Sequence, residues 1–563
     1  MKNFILIPVL LFFALSFSYS QNNQVIGSMN FNNVQIKMVA SIGPNISNLN
    51  NWIIGSFNNS NTQINTIFQN GAGNLDLLNN RIVGNFNNLN NQRKQILQIG
   101  NNNQVVQNNW IIGDRNNDNT QIKNVFQSGN LNISFLNNFI IGNQNNGNSQ
   151  SNEASQTGFS NLDVGNNLIM GNQNNTNIQI KQIVQDGSQN QLALNNRIIG
   201  DQNANNEQTK MVIQVGDQNQ SLRNNWITGN ENSNNLQSNE AAQNGVGNID
   251  EFNNMIVGDR NNNNVQAKQI QQMGNGNIVF DNNFIRGNEN DNNEQIKIVD
   301  QNGTANVSFG NNFISGDENS NNLQSNQASQ MGLLNFDVNN NAIIGDMNNN
   351  NVQIKQIQQV GTLNIFAGNN RIIGNQNDNN TQIKIVTQNG LLNQSVGNNQ
   401  IIGNDNNGNL QVNVASQTGI LNIDFNNNTI IGNGKNNNVQ LKNIVQIGVG
   451  NLVAGVSALA NFEINNMQTL EVFQDGKFNS VVDSNLMRGA FHSDNIQMLN
   501  ATQIGNHNMV RDSNWIIGNR NNGNMQSQHI EQYGKGNLVA GNNMIIGNGN
   551  NNNVQINNFR QKN

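Results

Sequence analysis

The segment Asn177–Gly200 reads NIQIKQIVQDGSQNQLALNNRIIG. Apolar and amide residues alternate in it, with one glycine turn in the middle and a second glycine at its end. Further along the chain, Asn264–Gly287 reads NVQAKQIQQMGNGNIVFDNNFIRG, and upstream Asn119–Asn130 reads NTQIKNVFQSGN. With the glycine of "IIG" as position zero, the motif falls at Gly27, Gly55 and Gly84 and then recurs at a constant spacing of 29 to Gly432. A degenerate copy at Asn461 and copies at Gly489, Gly518 and Gly547 complete nineteen, with spacings of 28 at Gly27–Gly55 and Asn461–Gly489. A fixed period of this size marks a solenoid.

Each copy has two arms. Sixteen positions after most "IIG" glycines comes Gln-x-Gly-x-x-Asn, as in Gln185-Gly187-Asn190 and Gln532-Gly534-Asn537. Glycine supplies the backbone freedom of a tight turn, and asparagine tolerates left-handed geometry. The segments between turns are short, alternating and rich in Ile and Val, which predicts strands rather than helices. The expected fold is all-β, a β-solenoid of about nineteen 29-residue strand-turn-strand coils.

In the first arm, offsets 8, 10, 12 and 14 barely vary; for Gly171 they are Gln179, Lys181, Ile183 and Gln185. Side chains alternate faces along a strand, so this even set is predicted to point inward. Stacking in register places Gln185 between Gln156 and Gln214, and a Gln ladder satisfies buried amides. The predicted structural amide ladder comprises Gln98, Gln127, Gln156, Gln185, Gln214, Gln243, Gln272 and Gln301, with turn glycines at Gly100, Gly129, Gly158, Gly187, Gly216 and Gly245. In the second arm, Asn195-Asn196 recurs in nearly every copy, and apolar residues such as Ile133 and Phe135 occupy offsets that strict alternation would expose. Either the Asn pair bends the strand into a three-sided coil, the favoured expectation, or an apolar stripe stays outside.

A longer period overlies the first. Offset 10 is Lys in two copies of three, as at Lys94 and Lys123 or Lys181 and Lys210, and Asn in the third, as at Asn152 and Asn239. The Asn copies carry Asp at offset 21, as at Asp163 and Asp250. Duplication of a block three copies long explains this, and so does charge spacing, since an Asp every third coil relieves a lysine ladder.

The bulk composition fits no ordinary globular core: 35% of the 563 residues are hydrophobic and 11% charged, and the net charge is −6. No basic stripe argues for nucleic acid. Residues 1–20 read as a secretory signal peptide, with Lys2, an apolar run from Phe4 to Phe17, and small Ser18 and Ser20 before Gln21. No later segment is long and apolar enough to span a bilayer, so an exported chain without a membrane span is expected, secreted to the extracellular space or cell surface. The chain lacks cysteine, so disulfides contribute nothing. Regular repeats are assigned to 21–450, degenerate repeats to 451–490, expected to be the weakest part, and terminal repeats to 491–563.

Seventeen intact Gln-x-Gly-x-x-Asn elements, from Gln69-Gly71-Asn74 to Gln532-Gly534-Asn537, resemble the curlin repeat of curli-type secreted amyloid subunits. The resemblance implies an extracellular fibre subunit of stacked β-arches acting in biofilm matrix, adhesion or surface coating, self-associating with help from a secretion or nucleation partner. The repeat is longer than the usual curlin repeat and Lys holds a regular arm position. The alternative is a monomeric binding solenoid, an adhesin or a glycan- or ice-binder. No enzyme activity, cofactor or metal is expected. His492, His507 and His529 are read as surface residues at unrelated offsets. Trp52, Trp110, Trp226 and Trp515 share one offset, consistent with β-surface packing or with a carbohydrate-stacking strip.

Overall fold

The computed structural model describes residues 19–362, 365–390, 394–420, 423–449, 451–460, 463–477, 480–488, 492–505 and 507–562. Residues 1–18 of the signal assignment, and Asn461 and Gly489 of the degenerate copies, lie outside them. The chain is an all-β solenoid: among the described residues there is no helix, and parallel strands stack with partners one repeat apart in sequence. It divides into two units, Met1–Gly276 and Asn277–Asn563.

In the first unit each arm builds its own parallel sheet. First-arm strands pair Gln156 with Gln185 and Gln185 with Gln214. Second-arm strands pair Asn166 with Asn195 and Asn195 with Asn224. Alternation sets the faces: Gln179, Lys181, Ile183 and Gln185 are buried, and the residues between them point outward. The interior is thin enough for first-arm amides to reach second-arm carbonyls, as Gln179 Nε2 does at Leu168 O, 3.2 Å away.

The second arm departs from the favoured expectation. Gln191–Ile199 is one unbroken strand, with Leu192, Leu194, Asn196 and Ile198 buried and Ala193, Asn195, Arg197 and Ile199 turned outward. The coil is therefore two-sided, and an apolar stripe stays on its outer face. The Asn pair needs no bend because each member finds its own counterpart in a neighbouring coil. Asn195 Nδ2 donates to Asn224 Oδ1 (3.1 Å) outside, and Asn196 Nδ2 to Asn167 Oδ1 (3.1 Å) inside.

The turns stack as closely as the strands. At the "IIG" turn, Gly200 N donates to Met170 O (2.9 Å), Asn174 Nδ2 to Gly200 O (2.8 Å), and Asn203 N to Asn174 Oδ1 (2.9 Å). Gln202 and Asn205 take left-handed φ values of 59° and 54° between these anchors.

The second unit repeats this plan, pairing Gln324 with Gln353 and Ile314 with Ile343. Its strands continue through the region of degenerate repeats. Val439–Val449 pairs with Met467–Lys477, one position short of the regular repeat, and the lost residue leaves the ladder in register. Here apolar side chains replace charged ones: Leu470 and Leu499 occupy the lysine column and cluster with Ile444, Val472 and Ile530.

Close stacking makes the glycines unequal. Gly129 sits at φ 115°, and a Cβ there would lie 1.9 Å from the Gly158 carbonyl oxygen. Gly247 sits at φ 67° with nothing within 4 Å. Gly247→Ala should cost only the left-handed penalty of about 1–2 kcal/mol, whereas Gly129→Ala must also push two coils apart. Thermal unfolding should place Gly129→Ala clearly below Gly247→Ala; equal midpoints would contradict the close approach.

Candidate functional site

The distinctive chemistry is the polar interior. Gln98 donates through Nε2 to Gln127 Oε1 (2.9 Å), Gln127 to Gln156 (2.8 Å), Gln156 to Gln185 (2.9 Å) and Gln185 to Gln214 (3.0 Å). Gln214 donates to Gln243 (2.8 Å) and Gln243 to Gln272 (2.9 Å). In the second unit Gln301 donates to Gln330 (2.8 Å). All are buried. The second N–H of the amide is used as well, Gln185 reaching Leu162 O at 3.3 Å and Gln301 reaching Ile278 O at 3.3 Å. The turn glycines Gly100, Gly129, Gly158, Gly187, Gly216 and Gly245 all adopt positive φ beside this ladder.

A second ladder runs beside the first. Gln92, Gln121, Gln150, Gln179, Gln208, Gln237 and Gln266 are linked in series at 2.8 Å per step. Both ladders share one polarity: each amide N–H donates toward the coil with the higher residue numbers. The inner asparagines run the other way, Asn80 donating to Asn51 and Asn196 to Asn167. A neutral buried hydrogen bond contributes about 1 kcal/mol net, but an orphaned partner costs about 1–3 kcal/mol, so ladder continuity matters more than any single bond.

Between the ladders lies the ionic column. Lys94 Nζ donates to the carbonyls of Asn79 (2.9 Å) and Gln107 (2.8 Å), and Lys123 Nζ to those of Asn108 (2.8 Å) and Leu136. Burial pushes both amines well below the usual lysine range, and for Lys123 the charges of Lys94 and Lys181 push in the same direction. In the third coil, Asn152 replaces lysine and donates to Asn138 Oδ1 (2.7 Å). That coil also carries Asp163, which pairs with Lys181 of the next coil at 2.9 Å. Burial raises the Asp163 carboxyl, and Lys181 partly offsets this. The three-coil period thus breaks the lysine stack and inserts a counter-charge.

Several partners carry no signal in the repeat pattern. Gly165 leaves the space through which Lys181 reaches Asp163, since a Cβ there would lie 1.9 Å from Nζ. Arg223 grips Asp250 through Nε (3.2 Å) and Nη2 (2.5 Å), and Lys297 pairs with Asp281 at 3.2 Å. The offset-10 and offset-21 columns pointed to charges of this kind, but partners in different coils and at offset 23 gave no local signal. His492 corrects the surface assignment: it is 1% exposed, and its Nδ1 lies 3.3 Å from Asn521 O. It fills the turn column that asparagine holds in the regular coils, as at Asn406 and Asn521, and that Lys435 and Glu463 hold in the coils just before it. His507 is exposed and His529 half-buried.

Among the described residues, no His, Cys, Asp and Glu group could hold a metal ion, and no helix is long and apolar enough to cross a membrane. No protein-family model matches the chain, and no curated protein matches it.

The buried amides and amines can each be tested. Replacing Gln185, Gln214 and Gln243 by Leu breaks the four ladder steps from Gln156 to Gln272 and strands the neighbouring amides and carbonyls at about 1–3 kcal/mol each. Calorimetry should show a lower melting temperature, and an unchanged one would place these amides outside the cooperative core. For pH, burial pushes Lys384 from 10.5 to about 7 and Asp337 from 3.8 up to about 6. Between about 7 and 10.5 the unfolded chain holds the Lys384 proton that the folded chain has released, so stability rises with pH. Between 3.8 and about 6 the folded chain retains the Asp337 proton that the unfolded chain loses, so stability falls as pH rises. The melting temperature should dip near neutrality and climb toward alkaline pH, and Lys384→Met should flatten that climb; a parallel profile would contradict the assignment.

Proposed function

We propose that the chain is a secreted structural protein that self-associates into curli-like amyloid fibres for extracellular matrix, biofilm or surface adhesion. The supporting observation is the shared polarity of the two glutamine ladders. Because every step donates in the same direction, each coil is a template that accepts a further coil on one side and donates to one on the other. A second copy stacked in register extends the same amide and backbone ladders without new chemistry. A contact between unlike ends does not close on itself, so it builds a filament. The repeated Gln-x-Gly-x-x-Asn elements agree with this reading, as does the signal-like segment at 1–20. On this reading the role is structural rather than catalytic, and the partners are further copies and a secretion or nucleation component.

The test is quiescent incubation of chain beginning at Gln21. Electron microscopy should show unbranched fibres; these should bind thioflavin, be seeded by preformed fibres and give a meridional fibre-diffraction reflection at about 4.8 Å. Chain that stays monomeric for days at high concentration and binds no amyloid dye contradicts the proposal.

A further inference from the structure

The outward face of the second-arm sheet in the first unit is set apart by few charges and by Trp52, Trp110 and Trp226. It spans eight strands, from Ile46–Ile54 to Ile249–Val257. Its outward positions include Val106, Phe135, Phe139, Val164 and Met170, and the charged ones are Arg81, Arg197 and Glu251. Over the same coils the outer first-arm face also exposes apolar side chains, among them Phe68, Val184 and Ile213, but it carries five charges, Arg93, Glu153, Asp186, Glu207 and Glu240. Two of the three second-arm charges lie against indoles. Arg81 sits 5.6 Å from the Trp52 ring centre and 6.0 Å from that of Trp110, and Arg197 sits 5.3 Å from that of Trp226.

The polar atoms along the middle of this face are turned to its own neighbours. The indole Nε1 atoms of Trp52, Trp110 and Trp226 are shielded from solvent without an acceptor, so the rings present carbon outward. Along the midline, Asn50 donates to Asn79 (3.0 Å), Asn79 to Asn108 (3.1 Å), Asn137 to Asn166 (3.0 Å) and Asn224 to Asn253 (2.9 Å). The free hydrogen-bonding groups of the face lie at its margins, at Gln104, Gln191, Gln220 and Thr228, and not along the midline.

We infer that this face is a side-by-side docking surface for a second copy of the chain. Eight strands at about 4.8 Å, each about 30 Å long, give a face of about 1,100 Å². Two such faces bury about 2,200 Å² in total, just above the standard range of stable protein interfaces and at the low end of permanent dimers. Commensurability favours a second copy. Its ridges repeat at the same strand spacing, so the two surfaces remain in phase along the whole face, as in a dry interface between sheets. A partner of any other period drifts out of phase within a few coils. The pairing is lateral and independent of the end-to-end contact proposed above.

The chain's own tryptophans report the contact, because Trp52, Trp110 and Trp226 all lie on this face. With the fourth removed by Trp515→Phe, iodide quenching of the full chain should be lost as concentration rises, while sedimentation shows paired mass. Val106→Lys combined with Phe139→Glu and Val164→Lys should keep quenching high at every concentration. The matching first-arm triple, Ile122→Lys, Phe126→Glu and Ile180→Lys, should behave as the parent. Far-UV circular dichroism checks folding, and the single variant Val106→Lys should give a partial effect in the same direction if the triple unfolds. Quenching that stays constant while particles lengthen overturns lateral pairing and leaves end-to-end growth intact. Protection that appears only on adding a soluble polysaccharide also overturns it, as does a second-arm triple protected like the parent.

Discussion

A buried primary amide has two donors and an acceptor to satisfy, and in this chain one neighbour accepts and another donates at each step. Gln185 donates to Gln214, accepts from Gln156 and gives its second N–H to the Leu162 carbonyl. That arrangement works only if the same residue recurs at the same height in every coil. Register, strand length and turn geometry all follow from it. A slip of one residue would turn the glutamines outward and leave the facing carbonyls unpaired. The fold does not need a large apolar core because amide continuity and backbone pairing replace one; Ile183 and Ile198 fill the gaps between ladders.

The lysine column shows the limit of pure repetition. Neutral amides can stack indefinitely, but stacked cations repel and lose hydration. The structure answers with two devices: carbonyl pairs that receive the amine, as at Lys94, and an Asn–Asp coil every third step that interrupts the column. Where the column turns apolar, at Leu470 and Leu499, the solenoid tolerates a shortened coil and loss of the turn asparagine at His492. Regions expected to be weak from lost motifs are thus built on a different interior, with hydrophobic burial where the regular coils use ionic contacts.

Much of this was legible because the chain aligns itself. The recurrence of Gln185 and Gly187 at fixed offsets exposes which positions are constrained, and alternation then assigns them to the inside. The Asn195-Asn196 pair was misleading because adjacent invariant residues look like a bend. One serves the inner ladder and the other the outer, which only three-dimensional pairing reveals. Gly165 and the Arg223–Asp250 contact were hidden for a related reason: their partners lie in another coil, where repeat offsets carry no information about distance across the interior. His492 looked incidental because its reference glycine sits in a copy whose motif is degraded.

Parallel, in-register stacking of each coil on the next underlies every other feature of the molecule. The chain contains no cysteine, so paired spin labels can be introduced cleanly at outward positions. Labels at Ala193 and Leu222, which are direct partners across adjacent strands, should lie about 5 Å apart at the backbone and show strong dipolar broadening and spin exchange. Labels at Ala193 and Trp226, four positions off register, should show much weaker coupling. Equal coupling in the two pairs, or stronger coupling in the second, would contradict the stacking on which the rest of the structure depends.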